Sequence, residues 1–196
     1  MSKKSKQSAN PGLNPVRKEL EAIIGMGYRS HRVFEDWVGL MFHAFQRDDP
    51  READHFATAT AYLMDDMRAT NEEALGPLYE EYAANHYTGQ YFTPSSVARL
   101  MARITHTAPP ETGRFKVLDP ACGAGACLIA AAKEQTFEQN GRAIFVGQDI
   151  DLNCARMTAL NLMFFNLDGV ILWGNHLSLA GNAASTGESK GRACQN

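Results

Sequence analysis

"VLDPACGAGACL", residues 117–128, begins as an apolar run, reaches a carboxylate at Asp119, passes glycines at 123 and 125 and continues in small apolar residues. The apolar run fits a buried strand and the small-residue stretch a helix, which leaves the glycines as the turn between them. A turn of this kind points free backbone N–H groups and the positive end of the helix at a ligand, and glycine lets the backbone approach closely. A nucleotide-like ligand is therefore expected. The dinucleotide fingerprint G-x-G-x-x-G/A is only half met, because Leu128 stands where a small residue is required. Asp119, at the strand tip, would repel a pyrophosphate and attract an ammonium or sulfonium centre. The turn favours a cationic ligand.

The same alternation continues downstream. The pattern predicts strand 116–119, helix 126–135, strand 144–148, helix 151–164 and strand 170–173, an α/β chain with a parallel, right-handed βαβαβ half. The second strand, "AIFVGQDI", ends at Asp149, 24 residues after Gly125, where an acidic side chain can accept both hydroxyls of a ribose. An adenosine with a cationic amino-acid tail, S-adenosyl-L-methionine, satisfies both carboxylates. The blander alternatives are that Asp149 only caps the next helix and that Asp119-Pro120 is only a turn.

Upstream, the chain reads as helical. In "HRVFEDWVGLMFHAF" the residues Phe34, Trp37, Val38, Met41, Phe42 and Phe45 recur at helical spacing and predict one buried stripe. Phe56, Ala59, Leu63 and Met67 predict a second helix, and Thr70-Asn-Glu-Glu73 has the spacing of a capping box before a third. "GQYFTP" at 89–94 is a loop in which Thr93 is expected to cap a helix opened by Pro94, with Val97, Leu100, Met101 and Ile104 as its apolar stripe. These readings divide the chain into a basic, disordered tail (1–11), a helical region (12–88), a nucleotide-binding half domain (89–179) and a flexible polar tail (180–196).

Composition narrows the class. Residues 1–48 carry eight Lys/Arg against five Asp/Glu, residues 49–87 two against nine, and residues 88–196 nine against eight. The acidic middle reads as a solvated helix face and does not suit phosphate. Cys122, Cys127, Cys154 and Cys194 form no C-x-x-C pair, so neither a zinc site nor a disulfide framework is expected. Neither a signal-peptide core nor a run of about 18 apolar residues is present. A soluble, cytoplasmic protein without a membrane partner is expected.

"GQYFTP", "VLDPACGAGACL", "VGQDID" and "LWGNHLSL", in this order and spacing, resemble the cofactor half of the N6-adenine DNA methyltransferases, in particular the modification subunits of type I restriction-modification systems. "LGPLYEEYA" resembles the helix before GQ(Y/F)xTP in those subunits, and the likeness spans about residues 70–178. The resemblance implies a partial Rossmann-like S-adenosylmethionine-dependent methyltransferase fold after an N-terminal helical region. It also implies roles. Thr93 would contact the methionine carboxylate, with Tyr91 and Phe92 walling the cofactor. Asp119 and the backbone at Ala121, Cys122, Gly123 and Gly125 would hold the methionine portion. Asp149 would take the ribose, Ile150 pack on the adenine and Asn175 meet the adenine edge. Core packing for Tyr91 and Phe92, a turn at Asn175 and a surface position for His176 are the alternatives.

Such enzymes polarise a flipped adenine with an (Asn/Asp/Ser)-Pro-Pro-(Tyr/Phe) tetrapeptide after the fourth strand. The only Pro-Pro here is Pro109-Pro110, in "APPE", ahead of the first strand. No catalytic residue and no metal ligand is assigned, and the isolated chain is expected to be inactive. Three readings fit: a truncated enzyme, half of a split enzyme, or a natural non-catalytic protein such as a regulatory or restriction-modulating interaction module. A nicotinamide-dependent oxidoreductase is opposed by Asp119 and Leu128. DNA is expected as a partner only through a larger complex. A partner chain or self-association is expected to cover the edge of a sheet cut at three strands.

Overall fold

A computed structural model describes residues 10–43, 50–83 and 91–175. Phe45, His176, most of the two expected tails and the expected boundary at 88/89 lie outside these residues. The chain divides between Ala74 and Leu75 into two compact units.

The first unit is helical: after one 3-10 turn at Pro11–Leu13 come α1 (Asn14–Gly25), α2 (Ser30–Phe42) and α3 (Pro50–Thr70). Each helix buries one stripe. Leu13, Val16, Leu20 and Ile23 meet Val33, Phe34, Trp37 and Val38 and the expected quartet Phe56, Ala59, Leu63 and Met67, all buried. Trp37 is held by chemistry as well as by packing, since its Nε1–H donates to Thr60 Oγ1 at 2.9 Å and that hydroxyl donates to Phe56 O at 2.9 Å. Thr70 does not open the next helix. It ends α3, where its hydroxyl donates to Asp66 O at 2.8 Å and accepts from Glu72 N at 3.3 Å. A hydroxyl so engaged closes a helix instead of starting one.

The second unit begins with α4 (Leu75–Tyr82) and α5 (Ser95–Thr105), followed by β1 (Phe115–Asp119), α6 (Ala126–Lys133), α7 (Phe137–Asn140), β2 (Ala143–Asp149), α8 (Leu152–Phe164) and β3 (Gly169–Trp173). Pro77 lies in the first turn of α4, where a missing N–H costs nothing. The strands form one parallel sheet in the order β1-β2-β3, with Asp119 opposite Gly147 and Asp149 opposite Trp173. Leu128 and Ala132 of α6 and Leu162 of α8 share one core cluster with Ala143 and Phe145, against which Phe115, Val117 and Ile171 pack. Both crossover helices thus cover the same face. The opposite face, built from the alternate residues, is open among the described residues: Leu118 is 67% exposed, and Val170 is also exposed. β1 likewise has a strand partner along one edge only among these residues.

Two expectations about α5 are corrected. Its N-cap is Pro94, whose carbonyl accepts from Val97 N and Ala98 N at 2.9 Å each. Thr93 is not the cap, and no side chain caps this helix. The expected apolar stripe is the outward one: Val97 and Met101 are exposed, Leu100 is 58% and Ile104 74% exposed. The buried face is Ala98 and Ala102, clustered with Ala126 and Ala130 of α6. Alanines four apart on both helices let the two backbones approach closely, and larger side chains would hold them apart.

Candidate functional site

The site is the loop from Asp119 to Gly125 and what converges on it at the carboxyl ends of the strands. Backbone conformation explains the two glycines. Gly123 has φ +55° and Gly125 φ +88°, the left-handed region that costs other residues about 1–2 kcal/mol. Neighbours also press on both. A Cβ on Gly123 would lie 3.0 Å from the Phe92 ring, and one on Gly125 3.2 Å from Thr158 Cγ2. Gly125 then caps α6.

Asp149 joins the turn to the second strand. Its Oδ2 accepts from Gly123 N at 2.9 Å and its Oδ1 from Asp151 N at 2.9 Å. It is not the cap of α8; that role belongs to Asp151, which accepts from Asn153 N at 2.7 Å. Asp119 Oδ1 accepts from Ala121 N at 3.1 Å, so Asp119-Pro120 is a turn as well as a carboxylate at the strand tip. Burial raises the Asp119 pKa above its ordinary value, the Ala121 N–H opposes this, and the charge of Asp149 adds to it. Cys122 lies beneath the turn, its N–H donating to Gln148 O at 2.9 Å. Burial pushes its thiol up to about 12, which keeps it a neutral packing group. Burial also raises the thiol of Cys127, at the start of α6, and the charge of Asp119 adds to this.

Several residues of the cradle are therefore brought together: Phe92 lies over Gly123, Asp119 bonds to Ala121 and Asp149 to Gly123, and Cys122 is tied to Gln148 of β2. Ile150 and Asn175 lie beside them and are exposed. Trp173 Nε1 donates to Ile150 O at 3.0 Å, Gly174 N donates to Asp149 O at 2.9 Å, and Gln148 Nε2 donates to Gly174 O at 3.1 Å, so the ends of β2 and β3 are held together. Tyr91 stands apart, 83% exposed.

Sequence reasoning missed the residues behind the turn. Thr158 Oγ1 donates to Gly123 O at 2.7 Å and Asn161 Nδ2 to Ala124 O at 2.7 Å. Both side chains are fully buried on α8. Their signal was available: two polar residues three apart on the inward face of an otherwise apolar helix need buried partners. Also missed were Tyr79 and Glu80 of α4. The Tyr79 ring makes a T-shaped contact with Phe92, centroids 5.3 Å apart, and Glu80 accepts from Phe92 N at 2.8 Å.

The donor set suits one kind of ligand. Two carboxylates flank a turn whose glycines are required by their left-handed φ and by the nearness of Phe92 and Thr158, and the cradle offers acceptors to cationic and hydroxyl groups. An S-adenosylmethionine-like molecule carries both kinds of group.

The family model described as N-6 DNA Methylase matches residues 70–185. The methylase subunit of the type I restriction enzyme MpnII of Mycoplasma pneumoniae is 28% identical over 111 residues, which make up 54% of this chain and 20% of that protein. The HindI methylase subunit of Haemophilus influenzae is 28% identical over 123 residues, 58% of this chain and 26% of that one. This chain spans about a fifth and a quarter of their lengths. Among solved structures, a Listeria monocytogenes protein assigned to the class I S-adenosylmethionine-dependent methyltransferases matches with a TM-score of 0.55 at 14% identity, over 85% of this chain and 54% of that chain. The two share a fold.

Proposed function

Because this chain belongs to the N-6 DNA methylase family, we propose that its glycine turn binds S-adenosyl-L-methionine as the donor half of an N6-adenine DNA methylation system. One observation carries the reading: carboxylates at the ends of two adjacent strands, Asp119 and Asp149, flank one left-handed glycine turn, and Asp149 bonds to it. Asp119 with the backbone from Ala121 to Gly125 holds the methionine portion and Thr93 its carboxylate. Asp149 takes the ribose hydroxyls, and Ile150 and Asn175 meet the adenine. When bound, S-adenosylmethionine supplies an electrophilic methyl group. Residues 1–196 contain no (Asn/Asp/Ser)-Pro-Pro-aromatic tetrapeptide, so the adenine amine has to be polarised by further polypeptide. The isolated chain holds the donor and transfers nothing; DNA is met in the larger, cytoplasmic assembly. Calorimetry with S-adenosylmethionine and S-adenosylhomocysteine tests this. A folded protein that binds neither overturns it and favours the non-catalytic interaction module.

The raised pKa of Asp119 adds a pH signature. A cation needs the ionised carboxylate, so affinity for S-adenosylmethionine falls as pH drops through this pKa, above the ordinary 3.8. Stability of the ligand-free protein moves the other way. A carboxyl whose pKa is raised in the native state favours folding most below its unfolded pKa, and that contribution is lost as pH rises through the native value. Asp119→Asn removes both trends. Titrations showing the same pH dependence of binding in this variant and in the unaltered protein would exclude Asp119 as the cation's partner.

The open sheet face and the outward stripe of α5 are where further polypeptide docks, a second copy in its absence. Light scattering at high concentration is expected to give a mass above the 21.6 kDa of one chain, and Leu118→Asp to reduce it. A strict monomer would exclude self-association.

A further inference from the structure

We propose that α4 is the scaffold that holds the Phe92–Thr93 wall against the glycine turn, with Glu80 as its positioning residue; the role in binding rests on the reading of the cradle as an S-adenosylmethionine site. Three contacts converge on this wall. The Phe92 N–H donates to Glu80 Oε1 at 2.8 Å. The Phe92 and Tyr79 rings meet in a T-shaped contact, their centroids 5.3 Å apart and their planes at 80°. The same Phe92 ring also lies against Gly123, so close that a Cβ there would stand 3.0 Å away. α4 therefore grips Phe92 by both backbone and ring. Tyr79 extends the grip to the start of α8, its hydroxyl donating to Asp151 Oδ2 at 3.4 Å.

The two neighbours on α4 divide the work. Tyr79 is buried and Glu80 exposed. Successive helical residues point about 100° apart, so the tyrosine packs inward while the glutamate reaches along the surface to the loop. An exposed carboxylate contributes little to the core, and an ionised acceptor makes a stronger bond to an amide than a neutral one. Within the acidic stretch 49–87, which reads as a solvated face, Glu80 thus has a specific partner. Without it the Phe92 backbone loses its tether while the ring keeps only its T-shaped contact, and the wall can swing away from Gly123.

The test uses the full chain with Glu80→Ala and Glu80→Gln, read by amide hydrogen exchange at Phe92 without ligand and by calorimetry with S-adenosylhomocysteine. Glu80→Ala is expected to speed Phe92 exchange roughly tenfold and to weaken binding roughly three- to tenfold, with an unchanged unfolding midpoint. Glu80→Gln keeps an acceptor oxygen and is expected to restore both. Phe92 exchange and affinity that do not change in Glu80→Ala overturn the proposal, as does a loss of affinity matched by a fall in the unfolding midpoint. Absence of binding in all three proteins, with Phe92 exchange still accelerated in Glu80→Ala, overturns the cofactor reading and supports the clamp.

Discussion

Replacing Asp149 with alanine is expected to abolish measurable S-adenosylhomocysteine binding and to lower folding stability by about 2–4 kcal/mol. The stability loss arises because two backbone N–H groups, those of Gly123 and Asp151, lose a charged acceptor that each meets at 2.9 Å. The binding loss arises because the ribose hydroxyls lose the same acceptor, and the turn loses one of its two bonds to the strand that positions it, keeping that of Cys122 N to Gln148 O. Asp149→Asn separates the two effects. It keeps one oxygen for a backbone N–H, so most of the stability should remain. It removes the charge, so affinity should still fall by about tenfold or more. Urea unfolding and calorimetry on the two variants give the answer. An asparagine variant that binds within about twofold of the unaltered protein would show that Asp149 serves the turn and not the ligand.

Gly125→Val should be at least as damaging, at about 2–5 kcal/mol with loss of ligand binding. The left-handed φ of +88° is costly for any L side chain and most so for a β-branched one. The added Cβ would also stand 3.2 Å from Thr158 Cγ2 and 3.5 Å from Thr158 Cα. Thr158 is fully buried and its hydroxyl is bonded to Gly123 O at 2.7 Å, so the crowded side chain cannot turn aside without breaking that bond. Gly113 provides the control, because its φ of +83° is almost the same and nothing lies within 4 Å of its Cβ position. Gly113→Val should show the conformational cost alone, about 1–2 kcal/mol, with binding intact. Equal losses in the two variants would mean that the contact with Thr158 is immaterial.

The sheet was legible because each element carried its own signal. β1, β2 and β3 extend the expected strands by only a residue at one or both ends, since apolar runs bounded by glycine, aspartate or asparagine leave a parallel strand little freedom. α7 was missed although Thr136 and Gln139 form a capping box with both of its bonds; one turn is too short to show a periodic stripe. The face of α5 was misread for a different reason. Hydrophobic periodicity weights Leu100 and Ile104 above alanine, whereas the partner helix α6 offers a surface of alanines that only Ala98 and Ala102 can approach. Asp119, Gly123, Gly125 and Asp149 were legible because charge and backbone freedom are local properties. Thr158 and Asn161 were marked only as polar residues on an inward helix face, and their partners, like those of Tyr79 and Glu80, were not legible, because bonds across 12 to 72 positions of sequence do not name the partner until the chain is folded.

The bonds from Thr158 and Asn161 to the carbonyls of Gly123 and Ala124 limit how far this cradle can be moved between proteins. A graft of residues 119–125 into another strand-turn-helix would carry the glycines and the carboxylate but leave two interior carbonyl oxygens without donors, each at a cost of about 1–3 kcal/mol. Because a peptide is planar and trans, a carbonyl turned to find another donor also turns the amide attached to it, and with it the surface presented to the ligand. The smallest transplantable unit therefore includes α8, a helix that need never touch what the turn holds.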